Sequence, residues 1–207
     1  MSSQTDIPRK SIYRLSIYQR CLERLKENGL ETVSSNALSK AAGVKSTQLR
    51  KDLAHFGQFG TRGLGYNVEA LIEVITGVLG TNSLLSVILV GVGNLGAALL
   101  RYSGFIKEGF EISAAFEADP NRAKLVKANV PVMDVSLMAQ YVNENNVKIA
   151  ILAVPPETAQ EVANNLVQAG VQAFLNFSPT VLKTPDNVIV NSVDLALELE
   201  HLSYFVK

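Results

Sequence analysis

The stretch LLSVILVGVGNLGAALLRYSGFIKEGFEISAAFEAD, residues 84–119, decides the fold of this chain. Its first part, Leu84 to Val90, is an apolar run interrupted only by Ser86, and it predicts a strand buried on both faces. The run stops at a glycine-rich turn, and a helix is predicted from Asn94 to about Lys107. A second strand, Ile112 to Phe116, follows. Strand, glycine turn, helix and strand in this order indicate a nucleotide-binding α/β unit.

The turn has the spacing G-x-G-x-x-G, and each glycine has its own physical task. Gly91 permits the tight turn out of the strand, Gly93 lets a pyrophosphate approach the backbone, and Gly96 lets the helix pack closely on the sheet. The helix N-terminus presents free N–H groups and a positive dipole end to the phosphates. The predicted cofactor-binding residues of the turn are Gly91, Val92, Gly93, Asn94, Leu95 and Gly96.

An acidic residue ends the second strand at the distance where a carboxylate binds the ribose of NAD. Glu117 lies 21 residues after Gly96. Glu117 and Asp119 would both repel a 2′-phosphate, and no arginine directly follows the strand, although Arg122 is nearby. NADH and NAD+ are therefore favoured over their 2′-phosphorylated forms. A purely structural glycine turn, or a site for coenzyme A or another nucleotide, remains the alternative.

The composition, 47% hydrophobic and 18% charged, is typical of a globular protein with a substantial core. No apolar run approaches the roughly 20 residues of a membrane span, and the N-terminus lacks the apolar region of a signal peptide. The single cysteine, Cys21, suits a reducing compartment. We therefore expect a cytoplasmic protein with no membrane partner and no metal site, in which Cys21 is buried filler rather than a reactive thiol.

The net charge of zero conceals an asymmetry. Residues 1–66 carry eleven Lys and Arg against five Asp and Glu, a net charge of +6, and the remainder carries −6. A basic first third indicates a module that binds a polyanion, joined to a second module. A chance distribution of solvated surface charge is the alternative.

The basic third contains the pattern of a helix-turn-helix. An amphipathic helix over residues 7–28 precedes two short helices separated by Gly43. Ser35 is the expected N-cap of the first, and Ser46 caps the second, Thr47 to about Phe56. The residues expected to face the core are Ile12, Leu15, Tyr18, Leu22, Leu25, Ala37, Leu38, Ala41, Leu49, Leu53 and Phe56.

In such a unit the second helix enters the major groove of DNA with its N-terminal residues against the bases. A glycine-rich segment, residues 57–68, fits a two-stranded hairpin or wing with Arg62 at its tip. An ordinary solvated helix face is the alternative. The predicted DNA-binding residues are Ser46, Thr47, Gln48, Arg50, Lys51 and Arg62.

Beyond this unit, strands alternate with helices, which implies a parallel sheet with right-handed crossovers. The elements predicted after Asp119 are the helices Asn121–Ala128, Val135–Asn145 and Glu157–Ala169 and the strands Val130–Met133, Lys148–Val154, Val171–Leu175 and Asn187–Val190. Ligands bind at the C-terminal ends of such strands, so Val154, Pro155, Asn176 and Ser178 are candidates for the nicotinamide side, with an ordinary loop role equally open.

The chain is therefore predicted to be α/β, with a winged helix-turn-helix domain before a doubly wound Rossmann sheet. The predicted domains are residues 1–80, which include a helix from Val68 to Leu79, then residues 84–191 and a C-terminal helix over residues 192–207. That helix is more apolar than a solvent-facing terminal helix needs to be. It could pack on a partner subunit or on its own sheet.

With these parts in this order, the sequence resembles the bacterial redox-sensing transcriptional repressors of the Rex family over essentially its whole length. The stretches that carry the resemblance include IPRKSIYRLSIY, SSNALSKAAGVKSTQLRKDLAHFGQFGTRGLGYNV, VGVGNLGAAL and NSVDLALELEHLSYF. The family usually has Asp where Glu117 stands, and this sequence lacks the glycine common in the family after Pro120.

The resemblance implies a homodimer that binds a palindromic operator in double-stranded DNA when NADH is scarce and leaves it when NADH binds. It also implies a C-terminal helix swapped between subunits. By resemblance, Tyr102 lies near the nicotinamide. Arg20, on the first helix, and Asp194 of the partner subunit are likewise implied to take part in coupling NADH binding to DNA binding.

A dehydrogenase with a helical appendage is the competing class. It needs a proton donor beside the nicotinamide, usually His, Lys or Tyr. The two histidines, His55 and His201, fall in the predicted recognition helix and the terminal helix. Tyr102 has no lysine at helical spacing except Lys107, and no second domain could hold a substrate. The sequence thus favours a ligand-controlled DNA-binding protein that is not an enzyme and has no catalytic residues.

Overall fold

The computed structural model describes residues 7–61, 64–126 and 128–206 and divides the chain into two units, Met1–Ser83 and Leu84–Lys207. Gly80 ends the last helix of the first unit in a left-handed conformation with φ of 71°. Glycine adopts this conformation without the steric cost that other residues meet. Within the described residues, no helix is long and apolar enough to cross a membrane.

The first unit is a winged helix-turn-helix. The predicted hairpin is present, and a strand that was not predicted, β1, pairs with β3 and extends the wing into a three-stranded antiparallel sheet in the order β1-β3-β2. The elements are α1 (Arg9–Glu27), β1 (Thr32–Val33), α2 (Ser35–Ala41), α3 (Ser46–Ala54), β2 (Gly60–Thr61), β3 (Gly65–Asn67) and α4 (Val68–Leu79).

Most of the predicted core of this unit is confirmed. Leu15, Tyr18, Leu22, Leu38, Leu49 and Leu53 are buried, and Ile12, Leu25 and Phe56 pack against them. The prediction is wrong for Ala37 and Ala41, which are exposed, while Ser39 is buried. Helix α2 has only two turns, so its buried side is limited to Leu38 and Ser39.

Both predicted helix caps in this unit are wrong by one residue. Ser34, not Ser35, caps α2, since its Oγ accepts a hydrogen bond from the Ala37 N–H at 3.1 Å. The two serines have the same chemistry, and Ser34 takes the role because it has the extended backbone that an N-cap needs. Ser46 is the first residue of α3, whose N-cap is Lys45, with no side-chain cap.

The second unit is the predicted doubly wound sheet. Its six strands are all parallel, in the order β6-β5-β4-β7-β8-β9, and the order reverses between β4 and β7. Ligands bind at such a switch point in open α/β sheets. The strands are β4 (Leu85–Val90), β5 (Phe110–Glu117), β6 (Val132–Asp134), β7 (Ile149–Leu152), β8 (Ala173–Asn176) and β9 (Ile189–Ser192).

Both faces of this sheet are covered. Along β4, Val87 and Leu89 belong to one apolar cluster, and Ile88 and Val90 belong to the other. This alternation explains the apolar run from Val87 to Val90, because each face of the strand packs under helices. The helices are α5 (Asn94–Leu100), α6 (Gly104–Lys107), α7 (Pro120–Leu125), α8 (Met138–Asn145), α9 (Pro156–Gln168) and α10 (Leu195–Ser203), with one-turn 3-10 helices at Val135–Leu137 and Tyr204–Val206.

The single helix predicted from Asn94 to Lys107 is wrong, because α5 ends at Leu100 and α6 begins at Gly104. The N–H groups of Arg101 and Tyr102 bond to carbonyls three residues back, which tightens the last turn. Serine and glycine follow, and both are poorer helix formers than the residues before them.

Other predicted boundaries also move. Helix α7 ends at Leu125 rather than Ala128, and α10 starts at Leu195 because residues 189–192 form β9. The predicted strand at residues 187–190 is thus shifted by two residues toward the C-terminus.

Candidate nucleotide-binding and DNA-binding sites

The glycine-rich loop lies at the C-terminal end of β4, at the switch point of the sheet. Gly91 has φ of +92°, and a Cβ there would lie 2.5 Å from the carbonyl oxygen of Ala153. A Cβ on Gly96 would collide with the carbonyl of Gly91. Gly93 differs, because the nearest described atom to its Cβ position is Arg122 Nη1, at 3.9 Å. Two glycines are therefore required by the packing of the protein itself, and the third leaves open space.

Glu117 is 9% exposed, and its carboxylate ties the end of β5 to the glycine loop. Its Oε2 accepts a hydrogen bond from the Val92 N–H at 2.9 Å, and its Oε1 accepts from the N–H groups of Ala118 and Asp119 at 2.9 and 3.0 Å. The sequence predicted only a ribose contact here and missed this bridge. A carboxylate has about four acceptor positions, so one remains for a ligand hydroxyl.

Asp119 and Arg122 flank the loop on its exposed side. Asp119 caps α7 by accepting from the Asn121 N–H at 2.9 Å, and its other oxygen is 3.8 Å from Arg122 Nε. The guanidinium of Arg122 is also the described group nearest to the open space above Gly93. The loop therefore has a cation beside it, which the sequence interpretation noted only as a neighbour.

Asn176 and Ser178, at the end of β8, differ in their hydrogen bonding. Asn176 is fully buried, and its side chain bonds to Ser178 N and O, Thr180 O and Ser192 Oγ. It therefore braces the turn after β8 with both its amide nitrogen and its amide oxygen. Ser178 is 4% exposed, and its hydroxyl has no hydrogen-bond partner among the described residues. A buried polar atom without a partner is unusual, and a bound ligand would satisfy it.

The remaining candidates on the nicotinamide side follow β7 and α5. Val154 is half-buried and approaches Gly91, with its Cγ1 3.0 Å from the Cβ position of that glycine, and Pro155 is exposed. Tyr102 lies in the break after α5, is 60% exposed and packs edge-to-face on Phe105 with ring centroids 5.0 Å apart. The structure thus brings Val154 against the loop, whereas Tyr102 follows the C-terminal end of α5.

The candidate coupling residues lie on both units. Arg20 is on the exposed side of α1 in the first unit. Asp194, in the second unit, is the N-cap of α10, and its Oδ1 accepts from the N–H groups of Ala196 and Leu197 at 2.9 and 3.1 Å.

Helix α10 and the turn after it expose an apolar surface, which we call the terminal apolar surface. Across the described residues 195–206, no side chain is buried. Of the two alternatives left by the sequence, packing of this segment on its own sheet therefore does not hold for the single chain. The exposed members of the surface are Leu195, Leu197, Leu199, Leu202, Tyr204, Phe205 and Val206.

On the first unit, α3 presents three of its five predicted DNA-binding residues to solvent. Thr47, Arg50 and Lys51 are exposed, and Arg50 Nη1 donates to Ser35 Oγ at 3.3 Å. Ser46 and Gln48 are half-buried. Arg62, the predicted wing-tip residue, lies outside the described residues.

A polar cluster behind α3, which the sequence did not predict, joins it to α1. Asp52 is 1% exposed, and the Arg14 guanidinium donates to both of its oxygens, through Nε at 2.6 Å and Nη2 at 2.7 Å. The Tyr18 hydroxyl donates to Oδ2 at 2.7 Å, and Gln48 Nε2 donates to Oδ1 at 3.0 Å. We call Arg14, Tyr18, Gln48 and Asp52 the Asp52 cluster.

Burial opposes ionisation of Asp52, but hydrogen bonds from Arg14 and Tyr18 outweigh it and lower its pKa to about 2. Burial, and then the hydrogen bond to Asp52, raises the pKa of Tyr18. The cluster is therefore a carboxylate ion pair with a neutral phenol at neutral pH.

The lowered pKa predicts a pH-dependent contribution to folding. The pKa of Asp52 falls from 3.8 to about 2, so the carboxylate should contribute about 2 kcal/mol above pH 4. This contribution should be lost as the pH falls through 2, with about half remaining at pH 3. Urea unfolding of the parent and Asp52→Asn, followed by circular dichroism from pH 7 to pH 3, measures it. The stability difference should shrink with falling pH, and a constant difference would contradict the assignment.

Two family models match the chain, one in the DNA-binding unit and one over most of the second unit. Residues 6–54 match the family model described as the N-terminus of a putative DNA-binding protein, and residues 82–180 match the model described as a CoA binding domain. A winged helix that matches a DNA-binding family model, joined to a dinucleotide-type Rossmann unit, indicates the class of ligand-controlled DNA-binding proteins. No group of three or more His, Cys, Asp or Glu in the described part of the chain could hold a metal ion.

The relatives give the family. The redox-sensing transcriptional repressor Rex of Carboxydothermus hydrogenoformans is 47% identical over 97% of each chain, and that of Streptomyces avermitilis is 45% identical over 96% of this chain and 79% of the relative. The chain belongs to the Rex family of redox-sensing transcriptional repressors. The relatives are named as repressors and not as enzymes, in agreement with the sequence prediction.

Two solved structures of relatives match nearly the whole chain. RSP in complex with beta-NAD+ and operator DNA is 40% identical, covers 98% of this chain and 94% of its own, and has a TM-score of 0.91. RSP in complex with beta-NADH is 38% identical, covers 98% and 95%, and has a TM-score of 0.86.

Proposed function

We propose that this protein is a transcriptional repressor that binds operator DNA through its winged-helix unit and leaves it when NADH binds to the second unit. One observation carries the proposal. Over 98% of its length the chain matches a Rex-family repressor whose structure contains both beta-NAD+ and operator DNA. Both activities operate where DNA and NADH are found together, so we propose that it acts in the cytoplasm.

At the nucleotide end, we propose that the pyrophosphate lies over the loop formed by residues 91–96. The open space above Gly93 and the nearby guanidinium of Arg122 support this position. Glu117 and Asp119 are the proposed ribose contacts, and both disfavour a 2′-phosphate. Val154, Pro155, Ser178 and Tyr102 are the proposed contacts on the nicotinamide side, and the unpartnered hydroxyl of Ser178 supports its inclusion.

At the DNA end, we propose that α3 enters the major groove and that the wing reaches the minor groove or the phosphates. The exposure of Thr47, Arg50 and Lys51 supports this role for the N-terminal half of α3. Ser46 and Gln48 complete the proposed set on this helix, and Arg62 is the proposed contact from the wing.

We propose a homodimer in which residues 192–207 form the dimerisation segment and are swapped between subunits. The terminal apolar surface supports this, since a group of neighbouring exposed apolar side chains commonly marks a site of contact with another protein. Two recognition helices must lie about 34 to 36 Å apart to read successive major grooves. NADH would change this separation by a rigid-body rotation of the subunits. Tyr102 and Arg20 of one subunit and Asp194 of the partner subunit would transmit the change.

The ligand can release DNA only through its different affinities for the two states of the dimer. Each tenfold loss of DNA affinity corresponds to about 1.4 kcal/mol of coupling. By linkage, operator DNA must weaken NADH binding by the same factor.

The decisive measurement is fluorescence anisotropy of a labelled palindromic operator, titrated with NADH, NAD+ and coenzyme A at fixed salt. Salt is held constant because it alone shifts such affinities by orders of magnitude. We expect release by NADH but not by NAD+ or coenzyme A. Arg50→Ala should weaken operator binding about 5- to 100-fold, as loss of a base contact does, and leave NADH binding intact.

Other results would change the assignment. Release by coenzyme A alone would favour the CoA-binding description of residues 82–180. Equal operator affinity for Arg50→Ala and the parent would show that Arg50 does not contribute to operator binding. No preference for the operator over unrelated DNA would overturn the proposal.

A further inference from the structure

The side chain of Gln48 forms a hydrogen bond with Asp52, a buried residue of the same helix. Its Nε2 donates to Asp52 Oδ1 at 3.0 Å, one turn further along α3. The orientation of the amide follows from chemistry, because an ionised carboxylate accepts hydrogen bonds and cannot donate them. The NH2 group must therefore face Asp52. The amide cannot flip without losing this bond.

This leaves a defined set of groups for a ligand. An amide has two N–H donors and one carbonyl oxygen, and Asp52 uses a single donor. Gln48 keeps one N–H and its Oε1. This pair matches adenine in the major groove, whose N6 donates and whose N7 accepts.

Asp52 is itself fixed by α1. Arg14 and Tyr18 lie 38 and 34 residues earlier in the chain and together supply three of the hydrogen bonds that Asp52 receives. The four donors leave little freedom for the carboxylate to rotate. The orientation of Gln48 on α3 thus depends on two residues of another helix.

We propose that Asp52 is a positioning residue for operator recognition, which fixes the Gln48 side-chain amide so that it reads one adenine in each half-site. The inference rests on the proposed DNA-binding function of the first unit. Tyr18 acts through Asp52, and removing its hydroxyl should loosen Gln48 while the Arg14–Asp52 ion pair persists.

The test compares the full-length parent with Gln48→Ala, Tyr18→Phe and the double variant on operators in which each base pair of the half-site is changed in turn. Gln48→Ala should reduce discrimination at one A·T pair by about tenfold, within the range for a bidentate contact. Tyr18→Phe should reduce discrimination at the same pair by about threefold and at no other pair, as expected for one hydrogen bond. In the Gln48→Ala background it should have no further effect.

Tyr13→Phe is the matched control, because Tyr13 is also on α1 but 70% exposed. It should bind every operator as the parent does. If thermal unfolding shows that Tyr18→Phe does not fold, Arg14→Lys replaces it in the test. Lysine keeps the positive charge but cannot form the bidentate contact with Asp52.

The proposal fails if Tyr18→Phe weakens binding to all sequences alike, or if its effect adds to that of Gln48→Ala. In either case the proposed repressor function would still be supported, provided that the parent binds operator DNA more tightly than unrelated DNA. A parent that does not distinguish operator from unrelated DNA would refute the repressor function, and the role of Asp52 with it.

Discussion

Gly93→Ala should fold as well as the parent and lose about 5- to 100-fold in NADH affinity, the range expected when a methyl group is forced into a filled site. In the structure the added Cβ meets nothing closer than Arg122 Nη1, at 3.9 Å. The free energy of unfolding should therefore stay within about 0.5 kcal/mol of the parent value. A repressor with this change should still bind operator DNA but respond poorly to NADH.

Gly96→Ala is the contrasting variant, because its Cβ would collide with the carbonyl of Gly91. We expect the second unit of this variant to be destabilised by about 3 kcal/mol or more. Calorimetric unfolding and NADH titration of both variants separate the two effects. Normal NADH affinity in Gly93→Ala would show that the loop does not hold the pyrophosphate, whatever the result for Gly96→Ala.

Introducing charge on the terminal apolar surface should convert the proposed dimer into monomers. Leu199 is 68% exposed and Leu202 is 58% exposed in the single chain. Burying each leucine against a partner would contribute about 1.5 to 3 kcal/mol. Leu199→Arg/Leu202→Arg removes both contributions and places two cations where the partner would pack. Sedimentation equilibrium at micromolar concentration measures the mass.

If the proposed dimer is lost, operator binding should fall, because a monomer can occupy only one half of a palindromic site. Leu125→Arg is the control, since Leu125 is 81% exposed and lies on α7, away from the terminal segment in sequence. It should remain dimeric. A dimer that survives the double change would mean that subunits associate through another surface.

The sequence by itself determined the class of fold. The G-x-G-x-x-G spacing depends on local backbone geometry, so it could be read without knowing the rest of the chain. The same holds for the helix from Val68 to Leu79, which begins and ends as predicted, and for the apolar run of β4. The two-unit order and the exposed residues of α3 also followed from local periodicity and charge.

Only the tertiary structure decided how the candidate sites are held together. Glu117 contacts Val92 across 25 residues, and Asp52 contacts Arg14 across 38. Side chains that meet only after the chain has folded leave no local pattern in the sequence. The hydrogen bond between Glu117 and the glycine loop and the Asp52 cluster therefore could not be predicted. The break at Tyr102 was missed as well, since helix propensities in that stretch are weak enough for packing to decide. Local geometry thus fixed most of the elements, and long-range contacts decided the break at Tyr102, the added strand β1 and the orientation of the polar side chains.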